Sequence, residues 1–213
     1  MIRIKKFTFN PFQENSYLLI NDKNECIVID PGCFNSHEEK ELSNYIESEN
    51  LTPTHLINTH FHIDHVLGNQ FVANKYKLEV TAYISDVDML AMAERSANLY
   101  GIPYKSSPKP TLFLNEGDTI NFGDAQLSVL FVPGHAPDHI VLLCNEEDFM
   151  IGGDVLFKGS IGRTDLPGGN HDDLIDNIKS KIFTLKDAIK VYSGHGPETT
   201  VGVEKKTNPF FTS

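Results

Sequence analysis

Six consecutive residues, His60-Phe61-His62-Ile63-Asp64-His65, place four metal-capable side chains in one short stretch. His60 and His62 are two apart, so in an extended segment they project the same way, while Asp64 and His65 open the helix expected beyond the same turn. One ion can be gripped by the histidine pair and another by Asp64 with His65. A lone histidine here would read as a solvated helix entry, but three histidines and an acid at this spacing point to metal. Three more candidates each follow an apolar strand in a glycine-framed turn: His135 in Val132-Pro-Gly-His, Asp154 in Ile151-Gly-Gly-Asp, and His195 in Tyr192-Ser-Gly-His-Gly-Pro. Singly, such a glycine most often only reverses the chain. Together they complete a count. His60, His62 and His135 make three ligands for one ion, Asp64, His65 and His195 three for a second, and Asp154 can bridge.

Sites built from nitrogen and oxygen donors suit Zn²⁺, Fe²⁺ or Mn²⁺, and imidazole does not choose among them. A structural site is closed by four protein ligands, whereas three per ion plus a bridge leaves an open position. A shared water held there has its pKa lowered to about 7, and two ions roughly 3.5 to 4 Å apart can hold the resulting hydroxide and polarise an acyl oxygen.

Alternating strands and turns must position these groups. Strands are expected over residues 2–9, 16–20, 26–29, 55–58 and 78–84, with Asn21-Asp22-Lys23-Asn24 as a hairpin turn. Ser36 and the acids after it suit a helix ending near Asn50, a second helix follows the histidine cluster, and Ser85 suits the N-cap of a third, ending at Gly101. The stretch 104–111, with Pro108 and Pro110, reads as a surface loop. Strands resume at 119–122, 126–132, 140–144 and 149–151, then a helix over 172–183 and a strand over 189–192. No linker or repeat interrupts the pattern, so residues 1–213 read as one domain. Two halves of strands followed by helices predict an α+β fold in four layers, an αββα sandwich of two mixed sheets with helices outside.

Composition narrows the function. With 18 Lys plus Arg against 29 Asp plus Glu, the net charge of −11 repels polyanions and argues against nucleic acid. The basic start, Met1-Ile-Arg-Ile-Lys-Lys-Phe, is not followed by the apolar run of a secretory signal, and no stretch suits a membrane span. A cytoplasmic protein is expected. Cys26, Cys33 and Cys144 are odd in number and share no C-x-x-C spacing, which fits reduced, apolar residues.

The set Thr59-His-Phe-His-Ile-Asp-His, Pro133-Gly-His, Gly152-Gly-Asp and Gly194-His-Gly resembles the metallo-β-lactamase superfamily. The likeness runs from Asn10-Pro-Phe-Gln-Glu-Asn to Thr207-Asn-Pro-Phe and includes Asp30-Pro-Gly, Ser160-Ile-Gly-Arg-Thr-Asp-Leu-Pro-Gly-Gly and Gly196-Pro-Glu-Thr-Thr. These segments are similar to the short bacterial glyoxalase II type, the hydroxyacylglutathione hydrolases. The resemblance implies the αββα fold and a small-molecule thioester as substrate, S-lactoylglutathione giving lactate and glutathione. It implies two divalent ions, zinc foremost with iron or manganese as alternatives. His60, His62 and His135 would hold the first, Asp64, His65 and His195 the second, and Asp154 both, with Asp64 and Asp154 as the catalytic carboxylates. Arg163 would meet the carboxylate end of the thiol carrier.

This chain departs from that pattern in three ways. Asp138 stands where the family commonly has glycine; longer relatives add a helical C-terminal domain; and the Lys and Tyr that follow the bridging Asp are Arg163 and Asp165 here. His62 and Asp154 set aside the flavodiiron oxidoreductases and the Cys-ligand lactamases. The principal rival is a mononuclear-iron persulfide dioxygenase, whose Gly-Arg-Thr-Asp is usually followed by Phe-Gln where Leu166-Pro stands here. A hydrolase of another ester or lactone is a further alternative. Asp30, at a strand end, is expected to orient a ligand, and His139 lies beside the site, whereas His37, His55 and His171 read as surface or edge residues.

Overall fold

The computed structural model describes residues 1–83 and 87–212, which form two compact units, Met1–Leu114 and Asn115–Ser213. The described residues contain two six-stranded sheets, both mixed, and one two-stranded hairpin. Two mixed sheets with helices are the fold class that the residue pattern predicts.

The first unit opens with an antiparallel meander, β1 (Arg3–Phe9), β2 (Glu14–Ile20) and β3 (Glu25–Ile29). Asn21 makes the second turn: its Oδ1 accepts from the N–H groups of Lys23 and Glu25, and Asn24 takes a left-handed φ of 59°. Helix α1 (Ser36–Ser48) is capped by Asn35, whose side chain accepts from the N–H groups of His37 and Glu38. It crosses to β4 (Thr52–Ile57), parallel to β3, with a register shift beside Pro53, which cannot donate to a ladder.

The ligand segment follows β4 and runs into α2 (Ile63–Val66) and α3 (Asn69–Tyr76). The unit closes with β5 (Val80–Tyr83), α4 (Met89–Tyr100) and β6 (Leu112–Leu114), and its sheet runs in sequence order from β1 to β6. Ile84 and Ser85, expected to end a strand and cap a helix, lie outside the described residues; Asp88 is the observed cap of α4, accepting from the Ala91 N–H.

One face of this sheet, including Leu18, Val28 and Leu56, packs with Leu42, Ile46, Val66, Val72 and Ala93 of the helices. Tyr17, Leu19, Ile27 and Ile57 on the alternate positions are also buried, which is why residues 17–20 and 26–29 read as unbroken apolar runs.

The second unit has β7 (Thr119–Phe122), β8 (Ala125–Phe131), β9 (Ile140–Cys144) and β10 (Phe149–Gly153) as successive antiparallel strands. The hairpin β11 (Leu156–Phe157) and β12 (Ser160–Ile161) leads to α5 (His171–Asn177). The expected single helix over 172–183 is α5 followed by a wider π turn, Ile178–Ile182, closed by the Phe183 N–H on the Ile178 carbonyl. Then β13 (Lys190–Ser193) pairs parallel with β10, and β14 (Thr199–Thr200) leads into α6 (Val201–Thr207). Val132, Leu143, Met150, Leu174, Ile178, Val191 and Val201 form this unit's buried cluster.

The three cysteines are buried thiols, and burial pushes Cys26 up to about 12. No helix among the described residues is long and apolar enough to cross a membrane.

Candidate metal centre

The parallel register of β3 and β4 builds the first half of the site. Ile29 pairs with Ile57, so Asp30 and the Asn58-Thr59-His60 segment leave adjacent strand ends side by side. Asp30 is buried, with a left-handed φ of 47°. Its Oδ1 accepts from the Thr59 N–H at 2.7 Å, and its Oδ2 from the Thr59 hydroxyl at 2.6 Å. The ring Nδ1 of His65 lies 3.1 Å from the same Oδ2.

These bonds set two imidazole tautomers. A carboxylate only accepts, so His65 carries its proton on Nδ1 and keeps its lone pair on Nε2. Thr59 has already given its hydroxyl proton to Asp30, so it accepts from Nδ1 of His60, 3.1 Å away, and His60 too presents Nε2 as its ligating atom. The rings cluster, His60 lying 4.7 Å from His62 and 4.2 Å from His65 between centroids, and Asp64 Oδ2 stands 3.8 Å from His65 Nε2. Asp30, His60 and His65 could by proximity alone hold an ion. The oxygens of Asp30 are engaged by Thr59 and His65, however, so it is placed to orient these side chains.

A ring of buried polar groups supports this segment. Glu14 accepts from the Ser16 hydroxyl through Oε2 and points Oε1 at His65 Nδ1 from 3.8 Å. Its burial pushes the carboxyl well above the usual carboxylate range. Asn10 Nδ2 donates to the carbonyls of Gly32 and Asp64, each at 3.0 Å. Gly32 is needed in that packing, because a Cβ there would run into Glu14, Asn10 and the Asp64 carbonyl.

The proline-rich loop is tied to the same segment. The Ser107 N–H donates to Tyr104 OH, Asn69 Nδ2 donates to Ser107 Oγ and Asn58 Oδ1, and Asn58 Nδ2 donates to the His65 carbonyl. Ser107, Asn69 and Asn58 are all buried, so part of the expected surface loop is anchored inside the unit.

The second unit repeats the scheme at the parallel ends of β10 and β13. Gly153 pairs with Ser193, and the Gly194 N–H donates to the Gly153 carbonyl at 2.7 Å, which sets Asp154 beside His195. His135 follows β8 on a loop closed by the Val132 N–H on the His139 carbonyl. The ring of His135 is fixed by Nδ1 donating to the Arg163 carbonyl at 2.7 Å. His139 accepts the Asp154 N–H on Nε2 at 2.9 Å, which makes it an orienting residue for Asp154.

Around Asp154 two histidines approach one oxygen. Nε2 of His135 and Nε2 of His195 each lie 3.5 Å from the same oxygen, Oδ2. Two ligands about 2.1 Å from one ion in a tetrahedron stand about 3.4 Å apart, so both contacts have the length of a coordination edge. The donor set of imidazoles and carboxylates fits divalent zinc, iron or manganese.

Other predicted residues can now be placed. Asp138 is buried and is not among the residues with positive φ, so the loop accommodates it without the strain that a glycine position would have implied. Arg163 is 57% exposed and forks onto Asp165, with both bonds at 2.7 Å, and holds the Asp165 carboxyl down at about 2. Its backbone carbonyl, not anticipated from the sequence, orients His135. Gly162 before it permits the approach, because a Cβ there would run into the Asp154 carbonyl and press on the His135 ring. His37 and His171 are exposed and His55 is half-buried.

Residues 9–195 match the Metallo-beta-lactamase superfamily. The chain is 38% identical over 208 residues to the "Probable metallo-hydrolase YqgX" of Bacillus subtilis, covering 97% of this chain and 96% of that protein. It is 34% identical over 204 residues to the "Hydroxyacylglutathione hydrolase GloC" of Haemophilus influenzae, covering 95% and 94%. The crystal structure of the BLEG-1 B3 metallo-β-lactamase is similar with a TM-score of 0.91 and 34% identity, over 99% of this chain and 100% of that one.

Asp30→Asn tests the orienting role. The amide keeps the shape but sets an NH₂ group or a single oxygen against Thr59 and His65, so the His65 proton is displaced towards Nε2. Competition against a chromophoric chelator should show metal held about 10 to 100 times more weakly in protein that remains folded by circular dichroism. Unchanged retention would remove Asp30 from the account.

Proposed function

The chain belongs to the metallo-β-lactamase superfamily, and on that premise we propose that it hydrolyses a thioester of the hydroxyacylglutathione type, working with two divalent ions. The observation that supports the two-ion reading best is Asp154 Oδ2 at equal coordination-edge distance from two different histidines. In this reading His60, His62 and His135 bind the first ion, Asp64, His65 and His195 the second, and Asp154 both. Zinc is the foremost candidate, with iron or manganese as alternatives.

Bound divalent ions supply a Lewis acid and bring the pKa of water towards about 7. The side chains have simpler tasks. Asp64 and Asp154 bring negative charge that offsets the repulsion between cations, and Asp30, Thr59, His139 and the Arg163 carbonyl hold the ligands in one orientation. No side-chain nucleophile is needed, because water is the attacking species, and a thiolate leaves without a strong acid. The substrate class is supported by the 34% identical hydroxyacylglutathione hydrolase and by Arg163, the basic residue on the loop beside His135.

Arg163 anchors the carrier in this reading. Its fork on Asp165 is exposed, and water screens such a pair, so a carrier carboxylate can replace Asp165 at little cost.

With S-lactoylglutathione, free thiol should be released at the same rate with and without oxygen. With glutathione persulfide, an oxygen electrode should record no uptake; rapid uptake would instead establish the dioxygenase.

Arg163→Ala should raise KM for a glutathione thioester about 10-fold to 150-fold with kcat little changed, the loss of one charge-assisted contact made equally in ground and transition states. A small thioester lacking the distal carboxylate should show no such effect. An equal effect on both esters, or a fall in kcat alone, would assign Arg163 to holding its loop.

A further inference from the structure

Glu204, in the first turn of α6, is fully buried, and hydrogen-bond donors meet both of its oxygens. Its Oε2 accepts from the Gly159 N–H at 2.8 Å and from Asn208 Nδ2 at 2.9 Å, and its Oε1 from the Thr199 hydroxyl. Asn208, equally buried, also donates through Nδ2 to the Ser160 carbonyl at 3.0 Å. Gly159 and Ser160 belong to the tip and second strand of the β11–β12 hairpin. Two and three residues further on lie Gly162, whose N–H donates to the Val155 carbonyl, and Arg163, whose carbonyl holds Nδ1 of His135. Buried and part-buried hydrogen bonds therefore tie α6 to the hairpin, and the chain that leaves the hairpin reaches the His135 ring through the Arg163 carbonyl.

A carboxyl group buried in this way is a poor source of stability, because its desolvation consumes most of what its hydrogen bonds return. An apolar side chain on α6 would pack as well, but it would let the hairpin choose its own position. We propose that Glu204 and Asn208 are positioning residues, a buried polar brace that sets the place of residues 158–163 and thereby the direction of the His135 ring and the presentation of Arg163. The inference rests on the reading of His135 as a ligand and of Arg163 as the carrier contact. It assigns work to Thr207-Asn-Pro-Phe, which supplies Asn208.

The test uses full-length protein loaded with cobalt(II), whose visible absorption reports ligand geometry. Glu204→Ala removes the acceptor. Glu204→Gln is the conservative variant, because its oxygen can still serve Gly159 and Asn208 while its NH₂ faces the Thr199 hydroxyl, which is able to accept. Asn208→Ala cuts only the bonds of the asparagine side chain, and Thr199→Val removes a donor that does not touch the hairpin.

Glu204→Ala and Asn208→Ala should change the cobalt spectrum, weaken metal retention about tenfold and raise KM for the carboxylate-bearing thioester but not for the small one. Glu204→Gln should restore all three, and Thr199→Val should lower Tm with an unchanged spectrum. If Glu204→Ala does not fold, Asn208→Ala decides. Wild-type spectra and retention in the alanine variants despite a lowered Tm would overturn the proposal, as would failure of Glu204→Gln to restore them. If the wild-type protein binds cobalt but turns over neither thioester, the proposed substrate fails while spectrum and retention still decide the brace.

Discussion

The buried carboxylate of Asp30 receives the backbone N–H and hydroxyl of Thr59 and the ring N–H of His65, and the geometry of the first unit's ligands follows from that convergence. A left-handed backbone at an aspartate costs about 1 kcal/mol, and it is held here because the alternative leaves buried donors without an acceptor, at about 1 to 3 kcal/mol each. Through Thr59 one acid fixes the tautomers of both His60 and His65. The parallel pairing of β3 and β4 makes this possible, since it delivers Asp30 and Thr59 to neighbouring strand ends.

Parallel strand ends do the same in the second unit, where β10 delivers Asp154 and β13 delivers His195. The order of control is reversed there. The carboxylate is the group that two histidines approach, and a third histidine, His139, orients it through the backbone. Open sheets of this kind gather ligands beyond the carboxyl ends of their strands, where the backbone turns away and side chains of neighbouring strands are thrown together.

Much of this was legible in the residues. His60, His62, Asp64 and His65 stand out as candidates because their spacing is local, and His135, Asp154 and His195 because each sits in a glycine turn after an apolar strand. Asp30 and His139 could be placed near the site by their strand ends, although their partners could not. What stayed hidden depends on contacts far apart in sequence. Asn58, Asn69 and Ser107 form one buried chain of amides and hydroxyl, yet each reads as an ordinary polar residue. Glu14 and Glu204 look like surface acids and are buried completely. The two-residue strands β11, β12 and β14 are too short to carry a period, and the helix expected over 172–183 conceals a π turn because its apolar spacing continues through it. Arg163 is noticed in the sequence for its guanidinium, whereas the contact of its backbone carbonyl with Nδ1 of His135 leaves no mark in the residue type.

The central claim is that two ions share Asp154, and elemental analysis of protein purified without chelator tests it most directly. The account predicts close to two equivalents of divalent metal per chain, with metal and thioester hydrolysis lost together in Asp154→Asn. A persistent single equivalent of iron, or an Asp154→Asn protein that keeps both ions and full turnover, would contradict it.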